Sequence, residues 1–309
     1  MATTQTYAGL SAEQKTFYDR ALLDRLIPNL VYQEFGQKKP SPKKEGDTVN
    51  FRRFNSLTAA TTPLTEGVTP NGNSLSITAV NATVNQYGDY VVFSDKVDTT
   101  AIDPVITETV QVLGEQAALT IDTVIRDVVT AGTSVQYANG EASRVTVAAA
   151  DKLTGTEIKK AVRTLRKNNA KPMSDGFFVG IIDADAEFDL MSDSMWIDVS
   201  KYQDKMNIYK GEIGTLFGVR FVRATNAKIY TGAGAAGIDV HATMIIGQNA
   251  YGVVDIDGSS KPQTIIKANG SSGVADPLDQ RSSAGWKAML TAARIQELAL
   301  VRIEHSVSA

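Results

Sequence analysis

Residues 103–132, DPVITETVQVLGEQAALTIDTVIRDVVTAG, contain the clearest helical pattern of the chain. Asp103 stands where an N-cap side chain accepts hydrogen bonds from free helix amides, and Pro104 follows in the first turn, where its missing N–H costs nothing. Gly132 suits a C-cap. The apolar residues between these ends recur at three- and four-residue steps: Ile106, Val110, Leu113, Ala117, Ile121, Val124 and Val128. At about 1.5 Å per residue, the pattern predicts a helix of roughly 40 Å from Pro104 to Ala131, long enough to be the spine of a domain.

Residues 48–93 have the composition and alternation of β-strands, with apolar side chains at Leu75, Ile77 and Ala79. A Gly- and Pro-containing stretch, GVTPNGN at 67–73, divides this segment and predicts a long hairpin. An isolated two-stranded ribbon is marginally stable, because neither of its faces is shielded from water. We therefore expect a neighbouring copy of the molecule to support the hairpin.

The first 54 residues have the pattern of an arm. Ser11 and Gln14 have capping-box spacing, and the apolar pattern that follows ends at Pro28, which predicts a short amphipathic helix. Residues 36–46, GQKKPSPKKEG, are typical of a connector without a core of its own. Basic pairs in and near the connector are suited to an acidic surface on an adjacent subunit. These pairs are Lys38-Lys39, Lys43-Lys44 and Arg52-Arg53.

The second half of the chain predicts a separate α/β domain. Thr154 and Glu157 form another capping box, which begins a helix with an apolar face. Strands and short helices then alternate. The predicted elements are a buried strand at 177–182, a helix at 187–191, a strand at 219–224, a helix at 286–295 and a last strand at 297–305 that returns to the spine helix.

Composition excludes several classes of protein. The net charge of −3 does not indicate a bulk polyanion binder, and the absence of cysteine excludes disulfides, thiolate nucleophiles and sulfur-ligated zinc. The 43% hydrophobic content is that of an ordinary globular protein. No apolar stretch reaches the roughly 18 residues that a membrane span needs, so we expect neither export nor membrane insertion.

Several motifs suggest an enzyme, but each has a plainer interpretation. GAGAAG at 232–237, with Asp255 downstream, matches a dinucleotide fingerprint, yet the residues after it are strand-like, so we interpret it as a flexible loop. Asp183 and Asp185 follow an apolar strand, as in an aspartate-nucleophile phosphatase, but Asp183 is equally placed to cap a helix. We predict no catalytic, cofactor or metal site. His241 and His305 are expected to be structural.

Several stretches, in order along most of the chain, resemble the major capsid proteins of tailed bacteriophages. They are TPLTEGVTP at 62–70, QYGDY at 86–90, IDPVI at 102–106, LGEQ at 113–116, GEIGTLFGV at 211–219 and DPLDQR with GWK at 276–287. The resemblance implies the α+β capsid fold that tailed phages share with herpesvirus shell floors and encapsulins. In that fold the chain has an N-terminal arm at 1–54, an extended β-hairpin loop at 55–93, a peripheral domain with the spine helix at 94–150 and 255–309, and an axial α/β domain at 151–254.

The resemblance implies self-assembly through pentamers and hexamers into an icosahedral head that encloses double-stranded DNA, in the cytoplasm of the host. Expected partners are other copies of the chain, a scaffolding protein, a portal, a decoration protein and, through weak non-specific contact, the packaged DNA. No membrane partner is expected. The alternatives are an encapsulin-like nanocompartment shell and, from another class, a phosphatase centred on Asp183 and Asp185. A tail-tube protein is disfavoured by the long helix.

The residues predicted for assembly interfaces are charged or apolar side chains in the arm, the loop and the two domains. They are Lys43, Lys44, Arg52, Arg53, Leu64, Glu66, Val68, Asp89, Arg163, Lys167 and Arg281. Arg163 and Lys167 share a helix face with Lys159 and Arg166. This basic face admits three interpretations: a solvated surface, a contact with packaged DNA or a contact with an acidic neighbour.

Overall fold

The computed structural model describes residues 22, 30–40, 47–100, 105–196, 214–254, 262–268, 270 and 276–308, which form an α+β fold. The described helices are α1 (Asp95–Thr100), α2 (Val105–Thr130), α3 (Gly155–Lys167) and α4 (Ala184–Met191), besides short 3₁₀ turns. The strands are β1 (Gln37–Lys39), β2 (Thr48–Phe54), β3 (Ile77–Thr83), β4 (Asn85–Ser94), β5 (Val135–Tyr137), β6 (Phe178–Ile182), β7 (Gly214–Leu216), β8 (Val219–Arg223), β9 (Lys228–Tyr230), β10 (Val240–Ile246), β11 (Tyr251–Val254), β12 (Gln263–Lys267), β13 (Arg281–Leu290), β14 (Ala292–Arg294) and β15 (Leu300–His305). Apart from Leu22, the predicted N-terminal helix lies outside the described residues.

Helix α2 is the predicted spine, and it lies against β4, β13 and β14. Its predicted buried stripe is correct as far as Ile121. Beyond that residue the buried face follows Ile125 and Val129 instead of Val124 and Val128. At each of these two places a pair of neighbouring residues is apolar, Val124 with Ile125 and Val128 with Val129. The packing of the adjacent strands, and not the sequence pattern, therefore selects which residue of each pair is buried. No helix in the described part of the chain combines the length and the apolar character needed to span a bilayer.

The largest sheet has the strand order β5-β15-β10-β6-β8-β7, and β9 pairs with the first half of β10. Every residue of β6 and β10 is buried, so these two strands form its centre. The strands predicted at 177–182 and 219–224 are confirmed as β6 and β8, which are parallel. Helix α3 packs on β15. The strand predicted at 297–305 is β15 of this sheet, and the contact with the spine helix that was predicted for it is made by β14 instead.

The helix predicted at 286–295 is wrong, because this segment belongs largely to β13. Strand β13 pairs with β4 along ten residues and with β12 on its other side. Its alternate residues from Ser282 to Leu290 are buried on the side of the spine helix, and Trp286 donates a hydrogen bond of 3.1 Å to Gln116 of that helix. The helix-favouring Ala, Met and Leu residues are overridden by this strand pairing.

The predicted hairpin exists, but its limits differ from the prediction. Strands β2 and β3 pair in antiparallel register from Thr48 opposite Thr83 to Phe54 opposite Ile77. At seven residues each, they are not the unusually long strands that the pattern suggested. Strand β4, which the sequence assigned to the same hairpin, instead forms an edge of the sheet β12-β13-β4.

Helix α3 begins after Thr154, as predicted, but the predicted capping box does not form. The side chain of Thr154 makes no capping hydrogen bond. The free amide of Gly155 donates instead to the carboxylate of Asp193, at 2.6 Å. Glu157 accepts hydrogen bonds from Gln136 and Lys160. A carboxylate from a distant segment has thus taken the place of the local cap.

Buried charges connect the central sheet to its surroundings. Glu304 of β15 is fully buried and accepts hydrogen bonds of 2.7 Å from both Arg144 and Arg302. Asp122 of the spine helix accepts the backbone amides of Val31 and Tyr32, at 3.1 and 2.8 Å. Burial raises the pKa of Asp122, although these amides and nearby cations oppose the rise. The arm is therefore held on the spine where it enters the body of the protein.

Candidate functional site

The hairpin tip, residues 55–76, is the most exposed apolar segment among the described residues. Every side chain from 56 to 76 is exposed, including Leu64 at 78% and Val68 at 62%. The amide of Val68 donates to the carbonyl of Thr65, and Gly67 between them has a φ of 75°, as a turn of this kind requires. Backbone and side-chain hydrogen bonds between Asn55 and Ser76 close the root of the tip. The tip is a fixed projection with unburied apolar side chains.

The hairpin base, in contrast, has its own core. Val49 and Phe51 of β2 are buried, and they pack with Ala82 of β3 against Val254, Ala293 and Ile295. The ring of Phe51 lies directly over Gly252, where any side chain would overlap it. The expectation that only another copy could support the hairpin is therefore wrong for the base. It still applies to the tip, which packs on no comparable cluster in the part of the chain that the structure describes.

The face of the sheet β12-β13-β4 that points away from the spine helix forms a groove of about 610 Å³. Tyr90 of β4 is 68% exposed beside it, and Ile265 of β12 lies opposite. Gly285 sits between these two residues in the register, and a side chain there would collide with Tyr90. Lys267 and Lys287 also line the groove. It combines an apolar floor with positive charge.

The side chain of Asp89 makes hydrogen bonds within its own chain. Its carboxylate accepts a hydrogen bond of 2.6 Å from Gln116 of the spine helix and another from the amide of Tyr90. These hydrogen bonds lower the pKa of Asp89 below its ordinary value. Gln116 in turn accepts the indole N–H of Trp286. Asp89 thus fixes the edge strand β4 on the spine.

A second groove, of about 740 Å³, follows the outward face of helix α3. Its apolar floor is formed by Val162 and Phe217, and its sides are formed by cations. These cations are Lys159, Arg163, Arg166 and Lys167. The ammonium of Lys159 lies 4.2 Å from the centre of the Phe217 ring, within cation–π distance. Sequence reasoning found the basic face but not Phe217, which the chain brings to it from the turn between β7 and β8.

The carboxylates of the phosphatase alternative are already engaged. Asp183 accepts the amide of Ala186, at 3.1 Å, as the N-cap of α4, and its second oxygen pairs with His241. Burial tends to raise the pKa of Asp183, but the hydrogen bond and charge of His241 outweigh it and hold this pKa low. Burial tends to lower the pKa of His241, and Asp183 raises it above its ordinary value. Both oxygens of Asp183 are occupied, so it is poorly placed to attack a phosphoester.

Ligand atoms of Asp183, Asp185 and His241 lie within 4.8 Å of one another, which is close enough for a shared cation. Two features oppose this use. The group stands at the N-terminus of α4, where the helix dipole disfavours positive charge, and Asp183 is already paired with His241. The predicted role of Asp183 as a helix cap is confirmed.

The predicted interface residues that remain are distributed over several surfaces. Arg52 is exposed on β2, while Arg53 is half-buried and donates to Asn55. Glu66 is exposed within the tip. Arg281 is exposed at the start of β13, where its guanidinium lies 3.8 Å from the carboxylate of Asp276. Lys43 and Lys44 lie outside the described residues.

Comparison with models of protein families matches residues 77–303 to the family described as phage capsid protein. The chain belongs to the phage capsid protein family. A comparison with curated proteins finds no match. Among solved structures, it is similar to the capsid of Ralstonia phage GP4, with a TM-score of 0.70 and 12% identity over 89% of this chain and 88% of that one. It is also similar to the capsid of cyanophage Pam1, with a TM-score of 0.69 and 16% identity over 92% of both chains.

These similarities confirm the predicted fold and role. The capsid protein has the fold of tailed-phage capsids, and it is a major capsid protein that forms the phage head. Its place is therefore the shell of the virion, and self-association is part of its function.

Proposed function

We propose that this capsid protein closes into pentamers and hexamers, and that each copy lays its hairpin tip over the sheet β12-β13-β4 of a neighbouring copy. The observation that carries the proposal is the row of apolar side chains on the tip. Leu57, Leu64, Val68 and Leu75 are 58 to 78% exposed. Burying them would contribute about 1.5–3 kcal/mol each before the costs of association.

The groove on the neighbouring sheet has the complementary chemistry. Tyr90 and Ile265 offer an apolar surface to Leu64, and Lys267 or Lys287 offers a charge partner to Glu66 of the tip. The contact joins different surfaces of two copies, so it can repeat around a ring.

We keep the four-part division of the chain with two refinements. The hairpin begins at β2, because β2 pairs with β3, and β4 belongs with the peripheral sheet. The arm predicted at 1–54 therefore ends before β2, and the hairpin predicted at 55–93 gains β2 and loses β4. The peripheral domain predicted at 94–150 and 255–309 gains β4, and the axial domain remains 151–254. We further propose that the protein is purely structural, that it assembles in the host cytoplasm into an icosahedral head enclosing packaged double-stranded DNA, and that a scaffolding protein, a portal and a decoration protein are its partners.

The tip is tested by the double variant Leu64→Ser/Val68→Ser. We expect an unchanged melting temperature, since both side chains are exposed, and a loss of shells in electron micrographs. A matched control, Val112→Ser/Leu119→Ser, alters two similarly exposed apolar residues on the spine helix and should leave assembly intact. Normal shells from the tip variant would refute the role of the tip.

A further inference from the structure

The groove on helix α3 concentrates positive charge that no carboxylate of the described residues neutralises. Among the described residues, no carboxylate lies within ion-pair distance of Lys159, Arg163, Arg166 or Lys167. Other cations of the same region are paired: Lys160 contacts Glu157 at 2.7 Å. The whole chain has a net charge of −3. A basic cluster that lacks a partner among the described carboxylates is therefore a local feature of an acidic chain, and it attracts anions.

The floor of this groove is rigid. Phe217 and Gly218 have φ values of 52° and 85°, and they join β7 to β8 in a tight two-residue hairpin turn. This turn holds the Phe217 ring against α3, where Lys159 lies over it. The four cations are thus presented from one helix, and a tight turn holds the Phe217 ring below them.

Two anionic partners could bind this groove: duplex DNA and an acidic surface on a second copy. The density of their charge distinguishes between them. From Lys159 to Lys167 the helix rises about 12 Å, and duplex DNA carries about one charge per 1.7 Å of its axis. Roughly seven phosphate charges therefore lie within the length of the groove. A second copy would have to bring several carboxylates together at one place. On the outward face of α4, for example, Asp185 is the one exposed carboxylate, beside the exposed Phe188 and Met191.

The open form of the groove also favours DNA. Cations that bind phosphates at a surface keep part of their hydration and gain from counterion release. Cations buried under another subunit would lose that hydration, which is unfavourable unless each is paired. Arg163 and Arg166 have the planar fork that binds phosphate oxygens in pairs.

We propose that this groove, and not an interface between copies, is where the capsid protein contacts the backbone of its double-stranded DNA. The proposal rests on the proposed function, in which the shell encloses DNA. Of the three interpretations that the sequence left open for this face, it selects the packaged DNA, so that Arg163 and Lys167 are not residues of an interface between copies. Contact through phosphates carries no sequence preference.

The test uses the full-length, unassembled protein and a short fluorescent DNA duplex, titrated at several salt concentrations. Arg163→Gln/Lys167→Gln should weaken binding by about tenfold or more at low salt. It should also reduce the slope of log K against log salt by about 1.8, or about 0.9 for each cation removed. The charge-preserving variant Arg163→Lys/Lys167→Arg should retain most of the binding. The control Lys96→Gln/Lys171→Gln, which removes the same charge from two exposed lysines elsewhere, should retain the slope.

Two results would overturn the proposal. One is unchanged DNA binding by the neutralised variant. The other is a neutralised variant with a normal melting temperature that no longer forms capsomers, which would assign the groove to an interface between copies. Failure of the proposed function has a different signature, because the unaltered chain would then form no shells at all.

Discussion

Replacing Phe51 by alanine tests whether the hairpin base is held by its own chain. Phe51 is fully buried over Gly252, in a small cluster that includes Val254 and Ala293. Phe-to-Ala changes in protein cores cost about 3–5 kcal/mol. The cluster lies at the margin of the fold and can partly close around the gap, so the lower figure, about 3 kcal/mol, applies. This loss of stability concerns the attachment of the hairpin to the rest of the protein, because none of these residues belongs to the main core.

Hydrogen exchange measures this cost strand by strand. At about 1.4 kcal/mol per factor of ten, the amides that pair β2 with β3 should lose protection roughly 150-fold. The amides of β10, at the centre of the large sheet, should exchange at their original rate. An equal loss in β10 would show that the hairpin is not a separate unit. Undiminished protection of β2 would show that Phe51 does not hold it.

Three further predictions concern single side chains. Burial lowers the pKa of His305, so the native state resists a proton that the unfolded chain accepts below about pH 6.5. The free energy of unfolding should therefore fall as the pH falls through that value. In denaturant titrations His305→Gln should show a smaller fall, whereas the same pH dependence of the free energy in the variant would contradict this reasoning. Glu304→Gln leaves the buried Arg302 and the half-buried Arg144 without their carboxylate and should cost about 3–5 kcal/mol, seen as a large drop in melting temperature; a drop of only a degree or two would be inconsistent with it. Asp193→Ala should destabilise the protein by about 1 kcal/mol through loss of the α3 cap, while Thr154→Ala should be neutral, and equal effects in calorimetry would refute the assignment of the cap.

The sequence predicted best those elements that are determined by local signals. The spine helix follows from its apolar repeat, and the strand at 177–182 follows from an unbroken apolar run. The left-handed C-cap predicted at Gly132 is wrong, because this glycine does not have a positive φ. Asp183 was expected as a helix cap, and it is one. In each case the residues that specify the element lie within the element or beside it.

The errors fall where distant residues decide the outcome. The segment at 286–295 has helical propensity, and its pairing with β12 and with β4, almost two hundred residues earlier, makes most of it a strand. Val124 and Ile125 are equally apolar, so the face of the spine depends on which strands pack there. The cap of α3 comes from Asp193, 38 positions beyond Gly155.

The sequence predicted only part of the basic groove. Its cations follow one another at helical spacing, whereas Phe217 arrives from a turn some fifty residues away. The sequence could not show whether these cations were paired with carboxylates, because pairing depends on the tertiary fold. That information decides between a solvated face and a binding surface.

Electron microscopy of shells grown from the full-length protein, with its scaffold supplied, tests the central claim most directly. We predict closed icosahedral particles whose reconstruction places residues 55–76 of each copy across the sheet β12-β13-β4 of the next. A protein that stays monomeric at high concentration would contradict the account, as would closed particles in which those residues touch no other copy.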